Sequence, residues 1–201
     1  MEIKICGIRR EEDIEIINKY NPDYIGFIFA DSKRRVTPET AAKLTAMLAG
    51  DTKTVGVFVN ASDDEIRNAV KTAQLDVVQL HGDEDGEYIK NLGVDCEIWK
   101  AVRVRDGEDI PDVTGADKIL LDKYTEKEYG GTGKTFDWSA VGTLKTDKPI
   151  ILAGGLNRDN VQNGIKIFSP VCVDVSSSVE TDGVKDEMKI KEFIDTVRNQ
   201  K

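Results

Sequence analysis

The chain has 201 residues, 39% of them hydrophobic and 32% charged, with a formal net charge of −9. That length suffices for one domain with a full core, over 1–201, while the acidic balance argues against nucleic acid as a partner, because phosphate-tracking surfaces are basic. Three cysteines without a CxxC spacing, beside a single histidine, argue against a disulfide framework and a metal site and favour a reducing cytoplasm. No run approaches 18 apolar residues, so no membrane span is expected. Met1 leads straight into a strand-like segment without the regions of a signal peptide.

Apolar, β-branched runs recur along the chain. Strands are predicted near Ile3–Ile8, Tyr24–Phe29, Thr54–Asn60, Val77–Gly82, Glu97–Val104, Lys118–Lys123, Pro149–Gly155 and Val171–Ser176. Most are continuously apolar rather than alternating, as strands covered on both faces are. Between them run helical patterns with start signals. Arg10–Tyr20 ends at Asn21-Pro22. Thr37-Pro38-Glu39 supplies a cap, a first-turn proline and an acid before Ala41–Leu48, and Ser62 to Glu65 is a capping-box match. Glu84–Asn91, Asp137–Leu144, Asn157–Ile165 and Asp186–Arg198 are the later helices, whereas Asp106–Gly115 holds one turn or none. Strands spaced by about 20 to 30 residues with helices between them predict a (β/α)₈ TIM barrel, preferred over a doubly wound open sheet.

A barrel places its chemistry at the C-terminal ends of its strands, often with phosphate held after the seventh and eighth. The unusual residues fall there. Cys6 ends the first strand, where it is either a small core residue or a presented thiol. Ser32 to Arg35 follow the second strand, and His81, the sole histidine, ends the fourth as a structural residue or a ligand contact. Asp122 ends the sixth, as a loop cap or a general acid. Asp174, inside an apolar strand, needs a partner: substrate hydroxyls or a structural hydrogen bond. Gly154-Gly155, the helix expected from Asn157 and Ser176–Ser178 make a phosphate cradle. Gly130-Gly131-Thr132-Gly133-Lys134-Thr135 imitates a nucleotide loop, but Glu128 stands where that motif requires glycine, so the stretch reads as a lid.

These stretches together resemble the phosphoribosylanthranilate isomerase family of tryptophan biosynthesis. The resemblance is carried by Lys4-Ile5-Cys6-Gly7-Ile8, Gly26-Phe27 with Ser32-Lys33-Arg34, Val55 to Asn60, Val78-Gln79-Leu80-His81-Gly82 and Leu120-Leu121-Asp122. It continues through Tyr129 to Trp138, Gly154-Gly155-Leu156-Asn157 and Val173-Asp174-Val175-Ser176-Ser177. It implies a cofactor-free, metal-free Amadori rearrangement of N-(5-phosphoribosyl)anthranilate, a small phosphorylated substrate, by a cytoplasmic monomer or homodimer. Cys6 matches the general base and Asp122 the general acid. Arg34, His81 and Asp174 are expected near the substrate; Gly154, Gly155, Ser177 and Ser178 near its phosphate; and Gly130, Gly131 and Gly133 in the lid.

Two residues depart from the family pattern. Ser178 replaces a usual glycine, with a cost if its φ is positive, and Lys123-Tyr124 replaces a commoner Thr-Lys. The competing readings are a histidine-pathway sugar-phosphate isomerase, against which Cys6 in place of aspartate speaks, and a non-catalytic phosphate-binding barrel.

Overall fold

The computed structural model describes residues 1–104, 113–123 and 146–199. Eight parallel strands close into a barrel in sequence order: β1 Glu2–Cys6, β2 Tyr24–Ile28, β3 Lys53–Phe58, β4 Val77–Leu80, β5 Glu97–Val104, β6 Lys118–Lys123, β7 Ile150–Leu152 and β8 Cys172–Val175. β8 returns to β1 with Lys4 opposite Asp174 and Ile5 opposite Val175, which removes both sheet edges. The fold is therefore a (β/α)₈ barrel.

Alternation along each strand sends one set of side chains inward and the other outward. The inward set includes Tyr24, Val55, Val77, Trp99, Leu120, Ile151 and Cys172, all buried in one cluster. Trp99 plugs the N-terminal end, its ring 4.9 Å from Tyr24 at 70°, with Lys118 Nζ 5.1 Å from the indole ring. The outward set, including Ile3, Ile5, Ile25, Phe27, Val78 and Val173, packs against the helices in a larger cluster.

Those helices are α1 Glu11–Tyr20, α2 Pro38–Thr45, α3 Asp63–Ala73, α4 Gly86–Asn91, α5 Val161–Phe168 and α6 Glu187–Arg198. The cap signals act as expected: Thr37 Oγ1 accepts from Thr40 N, and Ser62 and Glu65 form the reciprocal capping box. β5 and β6 match the expected runs, whereas the other strands are shorter, because the last residues of several runs leave the ladder to line the barrel mouth.

Three expectations need correction. Glu84 does not open a helix; Asp85 caps α4 instead, accepting from Tyr88 N. The side chain of Glu84 is buried and fastens neighbouring loops, accepting from Asn60 N at 2.7 Å, from Gly82 N at 2.9 Å and from Lys100 Nζ at 2.8 Å. α2 ends at Thr45 rather than Leu48. α5 begins at Val161, not Asn157. The Asn157 carboxamide accepts from the N–H groups of Asp159 and Asn160, and Asn160 accepts from Asn157 N and donates to Gly155 O, so a side-chain-closed turn precedes the helix. The expected Asp137–Leu144 helix, the Gly130, Gly131 and Gly133 lid and most of Asp106–Gly115 lie outside the described residues.

After β8 the chain makes a 3₁₀ turn at Ser177–Val179 and then a small antiparallel hairpin, β9 Glu180–Thr181 with β10 Val184–Lys185, before α6. The hairpin carries no sequence signal beyond Asp182-Gly183, both at positive φ.

Candidate active site

An open-mouthed cavity lies at the C-terminal end of the barrel, enclosing about 890 Å³ when the solvent space at its mouth is included. Its lining includes Cys6, Arg34, His81, Asp122, Gly154, Gly155, Asp174, Ser177 and Ser178. Every expected site residue among the described ones thus lines this one cavity.

Cys6 is the last residue of β1, and Gly7 follows with φ of 87°. A Cβ at Gly7 would also lie 2.7 Å from Arg34 Cδ, so glycine alone both turns the chain and lets Arg34 pack against it. Burial pushes the Cys6 thiol above its ordinary value, although the cations of Lys4 and Lys185 pull the other way. The resting side chain is therefore the thiol, with two cations at hand to receive a thiolate.

Lys4, beneath it, is completely buried and pairs with Asp174 at 2.9 Å, its register partner across the β1–β8 seam. Burial alone would lower the Lys4 pKa, but the Asp174 carboxylate reverses the sign and holds the ammonium charged. Asp174 is itself pushed upward by burial against the opposing pull of Lys4. Its second oxygen, Oδ1, is buried with no hydrogen-bond partner among the described residues. The partner predicted for this carboxylate is thus found for one oxygen and open for the other.

Arg34 is held rather than free. Its Nε and Nη2 donate to the two carboxylate oxygens of Glu180, at 2.8 and 2.6 Å, a bidentate pair. Lys185 Nζ completes the cluster, donating to Glu180 Oε1 at 2.8 Å and to Ser176 O at 3.0 Å. Two cations share one carboxylate, so one positive charge is in excess at this edge of the cavity. The hairpin is what brings Glu180 and Lys185 here.

His81 stands between Gln79 and Asp122. Gln79 Nε2 lies 3.0 Å from Nδ1, and Asp122 Oδ2 lies 3.0 Å from Nε2. Asp122 and His81 are both largely buried, at 11% and 14% side-chain exposure, so the carboxyl group meets a ligand in a site partly cleared of water.

Gly154 and Gly155 have consecutive φ values of 83° and 72°, a backbone that side chains resist. Ser177 and Ser178 lie opposite in the 3₁₀ turn, where the Ser178 hydroxyl donates to Leu156 O and so ties the two loops together. Ser178 is absent from the positive-φ residues, so serine carries no backbone cost there. The N-terminus of α5 starts four residues later than expected, behind the Asn157–Asn160 turn.

Sequence reasoning missed Lys4, Gln79, Glu180 and Lys185. A charged or amide residue at an inward parity of a β-branched run was the available signal for the first two. For Glu180, a partner 146 positions distant left none, and Lys185 enters the site through Glu180, five positions before it.

A family model described as N-(5'phosphoribosyl)anthranilate (PRA) isomerase matches residues 3–196. An N-(5'-phosphoribosyl)anthranilate isomerase of Clostridium acetobutylicum is 51% identical over 205 residues, covering 100% of both chains. The phosphoribosyl anthranilate isomerase crystal structure from Thermus thermophilus superposes with a TM-score of 0.86 at 29% identity, over 98% of each chain. Another, at a TM-score of 0.80 and 32% identity over 100% of each chain, is a complex with reduced 1-(o-carboxyphenylamino)-1-deoxyribulose 5-phosphate. With a family match across nearly its whole length and a half-identical relative, the chain belongs to the N-(5′-phosphoribosyl)anthranilate isomerase family.

Proposed function

We propose that this protein converts N-(5-phosphoribosyl)anthranilate into 1-(o-carboxyphenylamino)-1-deoxyribulose 5-phosphate, with Asp122 as general acid and Cys6 as general base. The observation that carries the assignment is that these two side chains, on the last residue of β1 and the last but one of β6, line one cavity. An acid and a base can therefore reach a bound ribose from different sides.

Asp122 gives its proton to the furanose ring oxygen. The C1′–O bond breaks, and the anilino nitrogen forms a Schiff base. Cys6, as thiolate, then takes the C2′ proton, and the resulting enolamine tautomerises to the ketone. Lys4 and Lys185 stabilise the thiolate that the base step requires, against the burial that opposes it. Asp174 Oδ1, buried and open, accepts from a sugar hydroxyl. Arg34, pinned by Glu180, offers Nη1 to the anthranilate carboxylate, and the excess positive charge of its cluster attracts that end of the substrate. The backbone of Gly154 and Gly155 and the turn at Ser177 and Ser178 hold the phosphate, with no cofactor taking part. We place the protein in a reducing cytoplasm, where Cys6, Cys96 and Cys172 stay as the free thiols seen here, as a monomer or homodimer.

Proton NMR of a reaction with freshly generated N-(5-phosphoribosyl)anthranilate tests this reading. The anomeric proton should vanish as a C1′ methylene beside a ketone appears. An unchanged spectrum at the buffer rate, with turnover of the histidine-pathway aminoaldose instead, would reassign the substrate.

A further inference from the structure

A hydrogen-bonded line crosses the barrel mouth from β4 to Asp122. Gln79, only 1% exposed, reaches His81 Nδ1 through Nε2, and His81 reaches Asp122 Oδ2 through its own Nε2, each at 3.0 Å. An amide nitrogen can only donate, so Nδ1 must present its lone pair. The ring proton then sits on Nε2 and is donated to Oδ2. With the amide reversed, Oε1 would face Nδ1 and draw the ring proton there. His81 Nε2 would then accept the carboxyl proton of Asp122 and withhold it from any ligand. The far end of the amide, Oε1, is buried without a hydrogen-bond partner among the described residues. An apolar side chain of similar volume would avoid that penalty, so what Gln79 contributes is the donor at Nε2.

We propose that Gln79 and His81 are positioning residues for the general acid: Gln79 holds His81 as its Nε2–H tautomer, and His81 donates to Asp122 Oδ2, so that the imidazole orients the carboxyl group without taking its proton. This deepens the reading of Asp122 as the acid and rests on it. In the ring-opening step the O–H bond of the Asp122 carboxyl group breaks as one forms at the ring oxygen, which takes the electron pair of the C1′–O bond. The nitrogen lone pair closes the Schiff base. The carboxylate left behind keeps the Nε2–H bond, which becomes charge-assisted as the proton departs. His81 in this role orients the acid and does not bind substrate.

Because His81 is the only histidine, its tautomer is readable in the free protein without substrate. Long-range ¹H–¹⁵N correlation of the wild type should show the ring proton on Nε2. Gln79→Glu should move it to Nδ1 and lower kcat about ten- to a hundredfold with KM unchanged, and Gln79→Met should lose the fixed tautomer with a similar fall. A wild-type ring proton on Nδ1 would overturn the proposal, as would wild-type kcat in both variants or a raised KM with kcat intact. Should neither variant fold, the wild-type spectrum decides. Because that spectrum needs no turnover, failure of the isomerase reading would register separately, in the substrate assay.

Discussion

At Cys6 two effects of opposite sign meet, and burial wins over Lys4 and Lys185. The thiol is raised, so the fraction present as base grows with pH. We therefore expect kcat/KM to climb through and beyond the ordinary thiol range, and a flat profile from pH 7 to 10 would remove Cys6 from the base role. Lys4→Met deletes a cation that stabilises the thiolate, so the same limb should move to higher pH. It also strands the Asp174 carboxylate, at a cost of about 3–5 kcal/mol in denaturant unfolding. Arg34→Ala should raise KM far more than it lowers kcat, and Glu180→Ala should do so in part, because Arg34 then loses its bidentate hold. Equal losses in kcat alone would contradict a binding role for Arg34.

Cys6 and Asp122 stood out in the sequence because they fall toward the mouth-side ends of apolar strands, although each also had a structural reading there and the family resemblance supplied their roles. Lys4 offered only its strand parity as a signal, because its partner Asp174 follows from barrel closure 170 positions away.

At the scale of elements, the caps at Thr37 and Ser62 were readable because each bond spans three residues. The onset of α5 was misjudged because Asn157 and Asn160 bond to each other's backbone and compete locally with the helix. The hairpin after β8 matters most for the site, and it is pH-sensitive. Burial favours protonated Glu180, but the Arg34 hydrogen bond and the Lys185 charge outweigh it and hold the carboxyl below its ordinary value. A depressed carboxylate stabilises the fold above its unfolded pKa, and that contribution is lost as pH falls through the lower folded value. Below about pH 4 the hairpin amides should therefore gain hydrogen exchange before those of the barrel strands. Uniform exchange across both would contradict this. Ser178→Gly should leave phosphate affinity within about twofold, since its φ is ordinary and its hydroxyl bond to Leu156 O is only one neutral contact, worth roughly 1 kcal/mol.

Over the whole molecule, the barrel was legible from the rhythm of apolar runs and capped helices alone, because strands buried on both faces differ so sharply in composition from the segments that cover them. Closure of β8 on β1 is what converts that rhythm into a site. It sets Asp174 beside Lys4, brings Ser176 Oγ within 3.0 Å of the Cys6 carbonyl, and delivers the hairpin to Arg34. Those contacts join the two ends of the chain, and no local pattern announces them. The overall charge of −9 coexists with a local cationic cluster, in which Arg34 and Lys185 share the Glu180 carboxylate at the mouth. The most direct test is the loss of anthranilate fluorescence from freshly generated N-(5-phosphoribosyl)anthranilate, compared among wild type, Cys6→Ala and Asp122→Ala. We predict rapid decay in the wild type and a fall of about 10² to 10⁴-fold in each folded variant; near-wild-type decay in either variant would contradict the acid–base assignment.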